Sequence, residues 1–131
     1  MISKNSRQIN LYYHPEHRLA KKCIAIANAN KAIINAIDTS HVRVSQTDWS
    51  EIARLLNISV VDLVNLEHDF IVSKFGKIPK VDEFSALKII QNNPEVVKAP
   101  IALIADKVVI ANTSNDILKL QKPDSGEIRI P

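Results

Sequence analysis

INLYYHPEHRLAKKCIAIANANKAIINAID, residues 9–38, is the stretch that sets the fold. Its opening run, Ile9-Asn10-Leu11-Tyr12-Tyr13, alternates apolar and polar side chains before turning aromatic, and it stops at His14-Pro15. A strand fits this pattern, because proline has no N–H to give to a ladder and closes the run. From Leu19 the apolar positions recur at Cys23, Ile26 and Ala27, with Ala20 and Ile24 beside them. That is helical spacing in an alanine-rich segment, and Asn28-Ala29-Asn30 supplies its stop. Residues 32–38 then read as a second strand. Two strands joined through one helix by short connections form a βαβ unit, with parallel strands and a right-handed crossover expected.

Beyond this unit the chain changes character. Asp48, with Glu51 three residues on, predicts an N-cap pair opening a helix over residues 49–56. Ser59 and Asp62 repeat the device before residues 60–66. Asp82 opens a further helix through Leu87, Ile89 and Ile90, which must stop near Asn92-Asn93-Pro94. After Pro100 strand signals return: residues 101–105 and 108–111 flank Asp106-Lys107, a two-residue connection that predicts a β-hairpin. Residues 115–120 read as a closing helix. The order β-α-β, several helices, β-β-α is an α/β pattern of the thioredoxin-like kind, with a helical insertion at about residues 45–93 between the second and third strands. One domain over residues 1–131 is expected, with polar tails at 1–7 and 122–131.

Composition narrows the function classes. Apolar residues make up 46% of the chain and aromatics only 5%, so the core must be built from Ile, Val, Leu and Ala. Seventeen Lys and Arg against fourteen Asp and Glu leave a formal charge of +3, scattered without a block of like charges. A phosphate-tracking face concentrates its cations, so a nucleic-acid partner is not expected. Lys74, Lys77 and Lys80 cluster around Gly76 and read as a solvated face. Trp49, Tyr12 and Tyr13 read as packing residues. No apolar run is long enough to cross a bilayer. The single cysteine, Cys23, excludes an internal disulfide, and one unpaired thiol fits a reducing, cytoplasmic compartment. His14 and His17 are spaced as a ligand pair, but no third Cys or His follows at a useful distance, so no metal is expected.

Asn93-Pro94-Glu95-Val96-Val97-Lys98-Ala99-Pro100-Ile101-Ala102-Leu103-Ile104-Ala105-Asp106-Lys107 resembles a segment of the arsenate reductase and Spx group of glutaredoxin-related proteins. Tyr12-Tyr13-His14-Pro15 is similar to that group's lead into its active-site loop, and Ile58-Ser59-Val60 to its middle region. The resemblance implies a cis Ala99–Pro100 bond beside the active-site loop. It also implies a nucleophilic cysteine at the start of the first helix, where the dipole and unpaired amides stabilise a thiolate. Laid against that loop, His14-Pro15-Glu16-His17-Arg18-Leu19 puts His17 in the cysteine's place. The two positions where the family holds its oxyanion with arginines correspond to Ala99 and Asn112, neither of which offers a bidentate fork. Lys98 is adjacent, but alternation would point it the other way.

The resemblance therefore implies a divergent member without its catalytic cysteine, and three functions follow. The first is a non-catalytic module that binds a protein, peptide or small thiol in the cleft beside Pro100, with His14, His17, Arg18, Ala99, Pro100 and Asn112 as its binding residues and no catalytic residue. The second is a thiol-dependent oxidoreductase using Cys23, with glutathione as the candidate co-substrate. The third is an Spx-like regulator that contacts RNA polymerase. Cys23 shares a helical face with Leu19, Ile26 and Ala27, which favours a core role for it, and the first function is the one expected.

Overall fold

In the computed structural model, which describes residues 8–76, 81–105 and 107–120, the opening run forms strand β1 (Gln8–Tyr13). Helix α1 (Ala20–Ala29) follows, and β2 (Ile33–Asp38) then pairs with β1 in parallel, from Gln8↔Ile33 to Tyr13↔Asp38. On the other edge of β1, β3 (Ile101–Ile104) runs antiparallel, and β4 (Lys107–Ile110) pairs antiparallel with β3. The resulting sheet has the order β2-β1-β3-β4. This mixed α/β sheet is the one the βαβ-plus-hairpin pattern predicts.

Alternation along β1 sends Ile9 and Leu11 to one face, where they join Cys23 and Ala27 of α1, Ala102 of β3 and Ala111 in a single core cluster. The last described element, a 3-10 helix over Ser114–Leu120, adds Ile117 and Leu120. Asn10 and Tyr12 point the other way and are buried as well. The Asn10 side chain is not left to lose its hydration unpaid: its Oδ1 accepts from Asn35 Nδ2 at 3.1 Å, the residue opposite it in register. α1 ends as its asparagines predict, with Lys31 at φ 60 and the paired bonds Lys31 N–H to Asn28 O and Ala32 N–H to Ala27 O.

The hairpin closes one residue earlier than expected. Ile104 pairs with Lys107, so the turn begins at Ala105, which adopts φ 52. Two-residue hairpin turns need this left-handed conformation, and here an alanine supplies it. The cis Ala99–Pro100 bond is also corrected: the described residues contain no cis peptide bond. The trans form is the lower-energy state of an X–Pro bond, and Pro100 O is satisfied in it by Ala111 N–H at 2.8 Å.

Residues Thr39–Lys98 form a compact unit of their own, the rest of the described chain forming the other. This unit contains α2 (Gln46–Leu56), a 3-10 turn (Val60–Leu63), α3 (Asp69–Phe75), α4 (Glu83–Asn92) and a second 3-10 turn (Pro94–Val96). α4 packs against α2 and both turns, and Trp49, Ile52, Leu63, Ile71 and Ile90 are fully buried. Two of the three predicted caps hold: Ser59 and Asp62 form a capping box, and Asp82 Oδ1 accepts from Ser85 N–H at 2.8 Å. At α2 the cap is Ser45, which accepts from Asp48 N–H, so the helix starts earlier and Asp48 lies in its first turn. The segment expected as a helix over 60–66 ends at Leu63, because Val64 turns extended and bridges to Val97. α3 has no counterpart in the sequence reading; His68 caps it, and Gly76 ends it at φ 91. Both polar tails, Asp106, Lys77 and Lys80 lie outside the described residues.

Two substitutions weigh these contacts in urea unfolding. Leu11→Ala should cost about 2–5 kcal/mol, as a large-to-small change in a closed core. Ser45→Ala should cost about 1 kcal/mol, the usual value of an N-cap.

Candidate functional site

β1 ends at Tyr13, between Asp38 on the β2 side and, one step beyond the Tyr12↔Ile101 pair, Pro100 on the β3 side. The chain leaves the sheet here as the loop from His14 to Leu19. Proline and two histidines tighten this loop. His17 N–H donates to His14 O at 2.8 Å, His14 N–H donates to His17 Nδ1 at 3.0 Å, and Glu16 N–H donates to His14 Nδ1 at 3.1 Å. A ring nitrogen that accepts carries no proton, so both rings are held with their proton on Nε2. The two rings stand edge to face with centroids 6.3 Å apart. α1 then begins at Ala20, whose N–H reaches His17 O at 3.2 Å, and no side chain caps it.

A cleft of about 590 Å³ opens against this loop. Tyr13, His17 and Arg18 form its loop side, Lys21 and Ile24 come from α1, and Asp38 closes the β2 side. Its size is that of an ordinary small-ligand site. Arg18 and Lys21 are exposed, and neither forms an ion pair among the described residues. Cations over an apolar floor of Pro15, Ala20 and Ile24 suit a ligand with an apolar body and a carboxylate or similar anion.

Of the residues expected at the site, His17 and Arg18 line this cleft, and His14 is tied to it through His17. Ala99 and Pro100 are buried at the start of the returning chain, and Asn112 is exposed with its N–H turned back to Ile110 O. None of these three lines the cleft, which lies on the β2 side of Tyr13. Lys21 and Asp38 were not singled out in the sequence. The signal for Lys21 was its spacing of three from Ile24 on the helix, which puts the two on one face, close behind Arg18 in the loop. That for Asp38 was the parallel register that sets it beside Tyr13.

The thiol lies elsewhere. Cys23 is 0% exposed, in the core cluster with Ile9, Leu11 and Ala27. Burial pushes its pKa up, and the nearby Asp116 carboxylate adds to the rise. Asp116 is itself held below its ordinary range, chiefly by the Thr113 backbone N–H and then by Lys119. Among the described residues no group of three or more His, Cys, Asp or Glu could share a metal ion, and no helix is long and apolar enough to cross a membrane.

No family model and no curated protein matches the sequence. Solved structures do match it. An arsenate reductase from Vibrio cholerae has a TM-score of 0.78 at 10% identity, covering 88% of this chain and 99% of its own. A possible arsenate reductase from Streptococcus mutans gives 0.66 at 13%, over 88% and 99%. An arsenate reductase related protein from Brucella melitensis gives 0.62 at 17%, over 92% and 99%. Likeness at such identities is likeness of fold: this chain has the thioredoxin-like α/β fold of arsenate reductases, helical insertion included.

The state of Cys23 is directly measurable. A disulfide reagent should leave it unmodified in the folded protein and titrate one thiol after denaturation. Because the folded state holds the proton more tightly, stability should be fully present below the unfolded thiol pKa of about 8.5 and decline as pH rises past it. Cys23→Ala should remove that alkaline slope, seen by comparing the two proteins' unfolding midpoints across that range.

Proposed function

We propose that this chain is a non-catalytic relative of the arsenate reductases, a binding module whose cleft at the β1–α1 loop holds a partner group without reducing it. The observation that carries this reading is the loop itself. Where the resemblance calls for a thiolate stands His17, an imidazole whose Nδ1 is occupied by a backbone N–H. Such a ring can neither form a disulfide nor take the proton of an incoming thiol at that nitrogen.

The other parts of the reductase reaction are missing as well. Ala99 and Asn112 stand where resemblance expects arginines, and a neutral side chain cannot replace their bidentate hold on an oxyanion. Cys23 sits on the core face of α1 with its pKa raised, which weighs against an oxidoreductase built on it. What remains is a cleft with an apolar floor and two cations, Arg18 and Lys21, that form no ion pair among the described residues. Its chemistry suits a peptide or a small thiol such as glutathione, recognised through carboxylates and not through sulfur exchange.

The experiment is a restoration attempt. The wild-type chain should give no arsenate-dependent NADPH oxidation in a glutathione and glutaredoxin coupled assay. His17→Cys should introduce a thiol that reacts with a disulfide reagent in the folded protein, yet still reduce no arsenate, because the arginines are absent. Arsenate turnover by the wild type that Cys23→Ser abolishes would overturn the reading. For binding, calorimetry with reduced glutathione should give a weak signal that Arg18→Ala and Lys21→Ala together reduce roughly tenfold, the worth of about 1.4 kcal/mol.

A further inference from the structure

The Thr39–Lys98 unit carries a second constellation, far simpler in composition. α3 and α4 each present a phenylalanine followed four residues later by a lysine: Phe70 with Lys74, and Phe84 with Lys88. That spacing places the ammonium on its own ring, and the Nζ atoms lie 5.7 Å and 4.6 Å from the two ring centroids. Between the helices is a groove of about 170 Å³, lined by Phe70, Lys74, Lys88, Ile89, Asn92 and Asn93. Neither ammonium has a carboxylate partner among the described residues. Phe84 is 63% exposed, the largest exposure of any bulky apolar residue described. Phe84, Lys88 and Asn92 recur every fourth residue, so ring, cation and amide share one stripe of α4.

We propose that this groove docks an acidic segment of a partner protein, one apolar side chain seated against Phe70 and Ile89 with carboxylates on either side reaching Lys74 and Lys88. Three observations select this occupant. The groove is below the roughly 300 Å³ at which small-molecule sites begin, so it takes a single side chain of a longer ligand. Its charged rim is uniformly cationic: the acidic residues of these helices, Asp69 and Glu83, stand in their first turns, and Glu83 accepts a hydrogen bond from Ser59 Oγ. Single-stranded nucleic acid would need several open rings for successive bases, whereas both rings here carry a lysine. The Asn92 amide, exposed at the groove end, can pair with a peptide backbone.

The test uses the full chain and a fluorescein-labelled short peptide of Asp and Glu around a central Leu, read by anisotropy. Controls are the same peptide with every carboxylate replaced by its amide, and an oligothymidylate of similar length. The acidic peptide should bind saturably, lose affinity as salt rises, and shift amide resonances of Phe70–Lys74 and Phe84–Asn93 in NMR spectra. Lys74→Gln with Lys88→Gln should weaken binding roughly tenfold or more, while Lys74→Arg with Lys88→Arg should retain it. Circular dichroism of each variant verifies the fold. Absence of saturable binding, equal binding of the amide peptide, undiminished binding by the glutamine variant, or preference for oligothymidylate would overturn the proposal.

Discussion

The rotational setting of α1 against the sheet governs both what this molecule hides and what it shows. β1 is paired on both edges and buried from Ile9 through Tyr12, so the chain can leave it only at the sheet's end. The helix that follows must offer its smallest and most apolar stripe to Ile9 and Leu11, and that stripe is Ala20, Cys23 and Ala27. At about 100° per residue, this choice turns Lys21 and Ile24 toward the cleft, which Arg18 reaches from the loop. Thiol burial and cation exposure are therefore one event. A helix rotated to free the sulfur would drive Lys21 toward the core, where an unpaired charge is not tolerated.

Much of this was legible in the chain. Alternation in β1, helical spacing from Leu19 and the dense apolar run at Ile101 fixed the element order. The misread points share a cause: local signals that compete. Ser45 and Asp48 are both good caps, and only packing decides that Ser45 starts α2. The hairpin turn falls on Ala105 because strand register outweighs the cost of a left-handed alanine. α3 was invisible because it is seven residues long and opens on a histidine cap, which no common signature includes. A cis Pro100 came from resemblance alone, with no residue in the sequence requiring it.

The site was half legible for a related reason. His17 and Arg18 could be placed because the loop follows directly from strand and helix boundaries. Lys21 and Asp38 needed the helix rotation and the β1–β2 register, which are tertiary facts. Resemblance pointed to the β3 side of Tyr13, while the cleft lined by described residues lies on the β2 side. On the function proposed above, the scaffold keeps its sheet, its loop and its insertion, and with them a cleft, while the chemistry at the cleft's mouth differs.

The histidine turn carries one more implication. Two lone pairs, not two N–H groups, staple residues His14 to His17, and each staple depends on a nitrogen staying bare. A side chain without such an acceptor at either position would leave a backbone N–H unpaired, and the turn beside the cleft would lose one of its two ties.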